Sequence, residues 1–136
     1  MKGNLYIRQF PSGKAKVGDI EKWLNDLEQQ DVHVDILFVD YLGLFKPNIS
    51  YGKGSERRHD IGQAGVDLRG IAMEKDIPVV TASQTNRSGM GKARPGPEDF
   101  AEDISQYWTL DFLLTIGQTE EEKKMNPRRS RLILYA

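Results

Sequence analysis

Cysteine is absent from all 136 residues, which excludes a disulfide framework and thiolate chemistry and fits a reducing compartment. Charge of one sign is missing as well: 19 Lys and Arg stand against 20 Asp and Glu, a net charge of −1, so any contact with nucleic acid must come from a local patch. No apolar run approaches the roughly 20 residues of a membrane span, and the start, Met1-Lys2-Gly3-Asn4, has no apolar leader segment. A cytosolic protein without a membrane partner is the expectation. Repeats and low-complexity tracts are also absent, so neither a solenoid nor a long disordered arm is expected. What remains is an ordinary globular composition, 38% hydrophobic and 29% charged, long enough for one domain over residues 1–136 with a real core.

The rest of the chain is organised around Asp35-Ile36-Leu37-Phe38-Val39-Asp40-Tyr41-Leu42-Gly43-Leu44. Four consecutive apolar residues between aspartates predict a strand buried on both faces and ending in a carboxylate. At the carboxyl end of a strand in an open α/β sheet, Asp40 faces the crevice where such sheets bind ligands. A carboxylate there suits Mg²⁺ or a phosphate-linked role, and a helix cap or turn role is the plainer alternative. A second strand, Val79-Val80-Thr81-Ala82-Ser83, runs into Gln84-Thr85-Asn86-Arg87-Ser88-Gly89.

Between these landmarks the pattern alternates. Asn4 to Phe10 reads as a short strand closed by Pro11-Ser12-Gly13. Gly18 to Gln30 reads as a helix, with Ile20, Trp23, Leu24 and Leu27 on one face. A long helix follows from about Glu56, with Ile61, Ala64, Gly65, Leu68, Ile71 and Ala72 on one side, and Ile77-Pro78 ends it. Pro97 or Glu98 opens a shorter helix to about Trp108. Phe112 to Ile116 and Arg131 to Ala136 read as strands around a charged excursion at Glu120 to Met125. About five strands and three helices in alternation predict an α/β fold with a mainly parallel sheet.

Two loops leave the carboxyl ends of neighbouring strands, and both are basic. Lys46, Lys53, Arg57 and Arg58 face one acid, Glu56, in the first; Arg87, Lys92 and Arg94 face none in the second. Glycines in such loops let main-chain N–H groups approach a sugar-phosphate backbone while Lys and Arg release its counterions. A solvated surface is the plainer reading. His33 and His59 have no partner at metal-ligand spacing and read as structural or solvent residues. Trp23 and Trp108 read as core and Tyr41 as packing, while Asp111 reads as a supporting or turn residue.

The segments Ile36 to Gly43, Asp67-Leu68-Arg69-Gly70-Ile71-Ala72 and Ile77 to Gly89 resemble the DnaB-type replicative helicases, phage versions especially, and the Ser-Gln-x-Asn-Arg element at Ser83 to Arg87 is the most specific part. That resemblance, over roughly Leu5 to Ala136, implies a RecA-like P-loop ATPase motor that assembles as a hexameric ring on single-stranded DNA. It implies ATP and Mg²⁺ as cofactors, primase as a further partner, Asp40 as the aspartate holding Mg²⁺ through water, and Gln84 as the amide that senses the γ-phosphate. Arg87, just beyond Gln84, is implied to contact phosphate or a neighbouring subunit. Lys46, Lys53, Arg57, Arg58, Arg87, Lys92 and Arg94 are implied to line the DNA channel.

The chain departs from that family in one respect with consequences. A phosphate cradle needs G-x-x-x-x-G-K-[ST], and the three Gly-Lys pairs, ending at Lys14, Lys53 and Lys92, all break the pattern. The family's catalytic glutamate has no counterpart either. The expectation is therefore the carboxyl-side half of a motor, a fragment or partial gene product without ATPase activity of its own. In RecA-like sheets the cradle strand sits between the strands corresponding to Val79–Ser83 and Phe112–Ile116. Without it, the expected outcome is an unpaired edge, an unusual sheet pairing, or a dimer through that edge. The alternatives are a RecA- or KaiC-like ATPase with another task and a non-catalytic nucleic-acid-binding or assembly module.

Overall fold

Helix α1 (Val17–Glu28) forms because Val17, Ile20, Leu24 and Leu27 recur at three- and four-residue spacing and bury one face. The computed structural model to which this helix belongs describes residues 3–11, 13–49, 57–99 and 109–135. The Lys16 side chain has no acceptor to offer at the N-cap; its carbonyl accepts from the Asp19 amide at 3.0 Å, and distant groups satisfy the first two amides of the turn. The Val17 amide donates to the Lys46 carbonyl at 3.0 Å and the Gly18 amide to Asn48 Oδ1 at 2.6 Å. These bonds tie the start of α1 to the loop after the Asp40 strand.

That strand, β1 (Leu37–Val39), pairs in parallel with β2 (Val79–Thr81), in the register Leu37 to Val79, Phe38 to Val80 and Val39 to Thr81. The crossover between them is α2 (Arg57–Lys75), whose Ile61, Ala64, Leu68 and Ile71 repeat the spacing of α1. One core joins these residues to Val17, Ile20, Leu24, Leu37, Val39, Leu42 and Ile77. Lys75 Nζ holds the two helices together, donating to Asn25 Oδ1 at 2.5 Å and Glu28 Oε2 at 2.9 Å. Asp76, in the left-handed region at φ 51°, ends α2, and Pro78 prevents its continuation.

Two expectations for this half are corrected. Residues 3–11 form no strand, and Leu5 and Ile7 are both 82% exposed. Their alternation is strand-like, but no described neighbour takes the hydrogen bonds a strand must make. Nor is β1 buried on both faces. Leu37 and Val39 face the helices, but Phe38 is 68% exposed, because no described helix covers the other side.

The second sheet is antiparallel, β3 (Leu113–Gly117) against β4 (Arg131–Tyr135). The charged excursion between them contains α3 (Glu120–Lys124). Thr119 Oγ1 accepts from the Glu122 amide at 3.2 Å while Glu122 Oε2 accepts from the Thr119 amide at 2.9 Å, a reciprocal cap. Arg131 then grips the Glu122 carboxylate through both guanidinium Nη atoms, at 2.8 and 3.1 Å. Those bonds hold the Glu122 carboxyl below the usual carboxylate range, the Thr119 amide contributing most. The two sheets do not join: among the described residues β2 and β3 each have a single strand neighbour, so the expected gap is left open. Of the helix predicted from Pro97, the turn Pro97–Asp99 is described, and the remainder, with Trp108, lies outside the described residues. No described helix is long and apolar enough to cross a membrane.

Candidate functional site

Asp40 follows β1 directly, and Gln84 lies three residues beyond β2. Because β1 and β2 are parallel and in register, both side chains leave from the same end of neighbouring strands. Both are exposed, and among the described residues neither carries a hydrogen bond or ion pair. A two-residue strand period places Asp40 on the side of Phe38, the open side of the sheet. An uncommitted carboxylate at a strand end is a hard oxygen donor of the kind Mg²⁺ takes one or two of, filling its other positions with water and phosphate oxygens. Asp40 fits that role. The described residues contain no cluster of three or more His, Asp or Glu side chains that would hold a metal without further ligands.

Thr81 sets the backbone on which Asp40 sits, a role beyond that of a β-branched strand former. Its Oγ1 donates to the Val39 carbonyl at 2.9 Å and accepts from the Leu42 amide at 3.1 Å. Those groups flank Asp40 on both sides, so one hydroxyl pins the turn that presents the carboxylate. The Asp40–Tyr41 peptide between them is cis. A polar residue inside an otherwise apolar strand was the available signal.

The loop beyond Gln84 is built around Asp99, whose side chain is fully buried. Lys92 Nζ donates to both of its oxygens, at 2.7 and 2.9 Å, the Gly96 amide donates at 2.9 Å and Ser88 Oγ at 3.2 Å. The Asp99 carbonyl accepts from the Asn86 amide at 2.8 Å, and Asn86 Oδ1 accepts from the Gly89 amide and shares with Asp99 the single proton of the Ser88 hydroxyl. Gly89 has to be glycine here: a Cβ would lie 2.8 Å from that of Asp99 and 3.0 Å from that of Thr85. The Lys92 hydrogen bond, then the Gly96 amide, hold the Asp99 carboxyl below its ordinary range, and Lys92 is raised in return. The loop is also fixed to the second sheet, since the Pro95 carbonyl accepts from Thr115 Oγ1 at 2.9 Å and Tyr135 Oη at 3.2 Å.

Of the other basic residues named from the sequence, Arg87 and Arg94 are exposed on this loop with no described ion pair. Lys46 is exposed beside the start of α1, its backbone holding Ala15 and Val17. Lys53 and the side chains of Arg57 and Arg58 lie outside the described residues. Asp111 pairs with Arg69, Nη2 to Oδ1 at 3.0 Å, while Arg69 Nη1 donates to the Thr109 carbonyl, so the two attach α2 to the entry of β3.

A family model described as the DnaB-like helicase C terminal domain matches residues 1–126. The chain is 31% identical over 121 residues to a DnaB-like replicative helicase of Enterobacteria phage T4, covering 88% of this chain and 25% of that protein. It is 35% identical over 96 residues to a probable plasmid replicative DNA helicase of Chlamydia muridarum, covering 69% and 20%. A solved structure of a DnaB-like replicative helicase, described with its interactions with primase, superposes with a TM-score of 0.68 at 20% identity, over 88% of this chain and 32% of that one. That likeness shows the fold, an α/β arrangement of the RecA-like type. The chain spans about a quarter of the length of the curated relatives it matches.

Proposed function

The chain belongs to the DnaB-like helicase C-terminal domain family, and we propose that it supplies the metal-side carboxylate, the phosphate-sensing amide and a strand-gripping loop of a replicative DNA helicase motor. The observation that carries this reading is the departure of Asp40 and Gln84 from the same end of adjacent parallel strands, with Arg87 and Arg94 exposed on the loop that follows. In the assembled protein, Asp40 would hold Mg²⁺ and Gln84 would hydrogen-bond the terminal phosphate of ATP. The bound metal supplies charge neutralisation at the phosphates. Gln84 and Arg87 are separated by two residues, so a displacement of the amide moves the first cation of the loop. In the intact hexameric ring this coupling serves ATP-driven movement along single-stranded DNA and duplex unwinding, with primase as a partner.

The phosphates of ATP do not find a cradle in these 136 residues, because no G-x-x-x-x-G-K-[ST] segment is present. Turnover therefore needs a cradle from outside this sequence. The same absence favours one second reading, a non-catalytic module that binds nucleic acid or assembles with other chains.

Strand binding is tested by fluorescence anisotropy with a single-stranded oligonucleotide across a salt series. Each of Arg87→Ala and Arg94→Ala is expected to weaken binding and to lower the magnitude of the slope of log K against log[salt] by about 0.7, the value for one lost phosphate contact on a single strand. Absence of binding at low salt, or slopes unchanged in both variants, would overturn the strand-gripping part of this reading.

A further inference from the structure

The seven charged and polar residues of the loop divide into two groups by what surrounds them. Arg87 and Arg94 point outward, whereas Lys92, which sequence spacing grouped with them, is bound to a carboxylate that is itself out of contact with water. Glu98 Oε1 adds a longer contact to the same ammonium at 3.9 Å. We infer that Asp99 is the positioning residue of the strand-gripping loop and that Lys92 is its internal counter-ion, not a contact to nucleic acid. This inference rests on the reading of the loop as a strand contact and refines which of its cations do the contacting.

Three features argue for it. A buried carboxylate is costly unless paired and hydrogen-bonded, and Lys92 supplies the only described ammonium within bonding distance of it; moving that ammonium to a phosphate would strand Asp99. The remaining bonds to Asp99 come from Ser88 and Gly96, and its backbone holds Asn86, so a single side chain organises residues 86–99. Arg87 and Arg94 lie inside that span. Loops ordered before they meet their ligand do not lose the freedom on binding that a loose loop must lose, so a fixed loop binds more tightly with the same contacts. Gly89 and the Pro95 carbonyl serve the same end, the first by letting the chain pass against Asp99 and the second by joining the loop to β3 and β4.

Two measurements on the 136-residue chain decide the matter, with Lys92→Met and Asp99→Asn as variants. Amide hydrogen exchange at Gly96 and Gly89 is expected to quicken by at least about tenfold in both, because each loses the bonds that close the loop. Oligonucleotide binding by Lys92→Met is expected to weaken by about tenfold with its salt slope unchanged, the mark of a lost shape and not of a lost phosphate contact. Exchange in the wild-type chain is expected to be protected equally from about pH 5 to pH 9: the depressed Asp99 gives its stabilisation above the unfolded value near 3.9, and the raised Lys92 gives its own below the unfolded value near 10.4. A slope lowered by about 0.7 in Lys92→Met overturns the inference whatever the exchange shows, and so does unaltered exchange in both variants. If the wild-type chain binds no single strand at low salt, the strand reading of the loop fails, and exchange alone then upholds or overturns the pairing role.

Discussion

Leu68→Ala is expected to lower the unfolding free energy by about 3 kcal/mol, whereas Phe38→Ala, which removes a larger side chain, is expected to change it by less than about 0.5 kcal/mol. The difference lies in what surrounds each residue. Leu68 is 3% exposed inside the cluster that contains Leu24, Leu37 and Val39, and its truncation leaves a cavity between two helices pinned by Lys75. Phe38 stands inside the apolar run Ile36-Leu37-Phe38-Val39, yet it is 68% exposed. Truncating it opens no cavity. Domains of this size have a total stability of about 5–15 kcal/mol, so the first variant loses a large share of it. Urea unfolding of the two variants measures the contrast, and equal losses would contradict a β1 that is covered on one face only.

Concentration-dependent self-association is expected of the 136-residue chain, and the pair Ile116→Lys with Leu134→Lys is expected to abolish it. On the second sheet Leu114 faces Leu134 and Ile116 faces Leu132 across the strands, all four between 59% and 74% exposed. Their opposite face is the occupied one, where Leu113 is buried and Thr115 and Gly117 meet the Pro95 loop. Phe112 at 69% extends the open face, and Phe38 and Val80 form another on the first sheet. A monomer rarely leaves contiguous apolar surface beyond a few hundred Å², and among the described residues each of β2 and β3 also has one edge with no strand neighbour. A second copy of the chain can cover both. Sedimentation velocity distinguishes the outcomes: a mass that rises with concentration in the wild type and stays monomeric in the double variant is expected, and a monomeric wild type at every concentration would contradict it. Because both substituted side chains are exposed, the double variant keeps the unfolding free energy of the wild type to within about 0.5 kcal/mol.

Periodicity made α1 and α2 legible in the sequence, because Val17, Ile20, Leu24 and Leu27 and then Ile61, Ala64, Leu68 and Ile71 follow one helical rule that needs no partner. The β1–α2–β2 crossover was legible for a similar reason, since two apolar runs on either side of a helix have one favoured connection. Strands without a helix between them were harder. Leu5 and Ile7 alternate as a strand does, but whether an alternating segment becomes one depends on a neighbour elsewhere in the chain, and none is described. The two-sided burial expected of β1 failed in the same way, since composition reports that Phe38 is apolar but not whether anything lies over it. At the site, Asp40 was singled out because it ends an apolar strand, whereas Gln84 was named from the family resemblance. Thr81 and Asp99 were not legible. Thr81 looked like one more β-branched residue, and Asp99 like the first-turn acid of a helix. Their partners, Val39 and Leu42 for one and Lys92, Ser88 and Gly96 for the other, are set by the path of the folded chain and by no regular spacing.

The departure of Asp40 and Gln84 from the same end of the parallel pair is the observation on which the proposed motor reading stands, and paramagnetic Mn²⁺ reports whether the two share one site. Titrated into the chain in place of Mg²⁺ while amide signals are followed by NMR, the metal is expected to broaden Asp40 and Gln84 together, and Asp40→Asn is expected to remove both effects. Broadening at Asp40 that leaves Gln84 sharp, or broadening at Gln84 that survives Asp40→Asn, would place the two on different sites and contradict that reading.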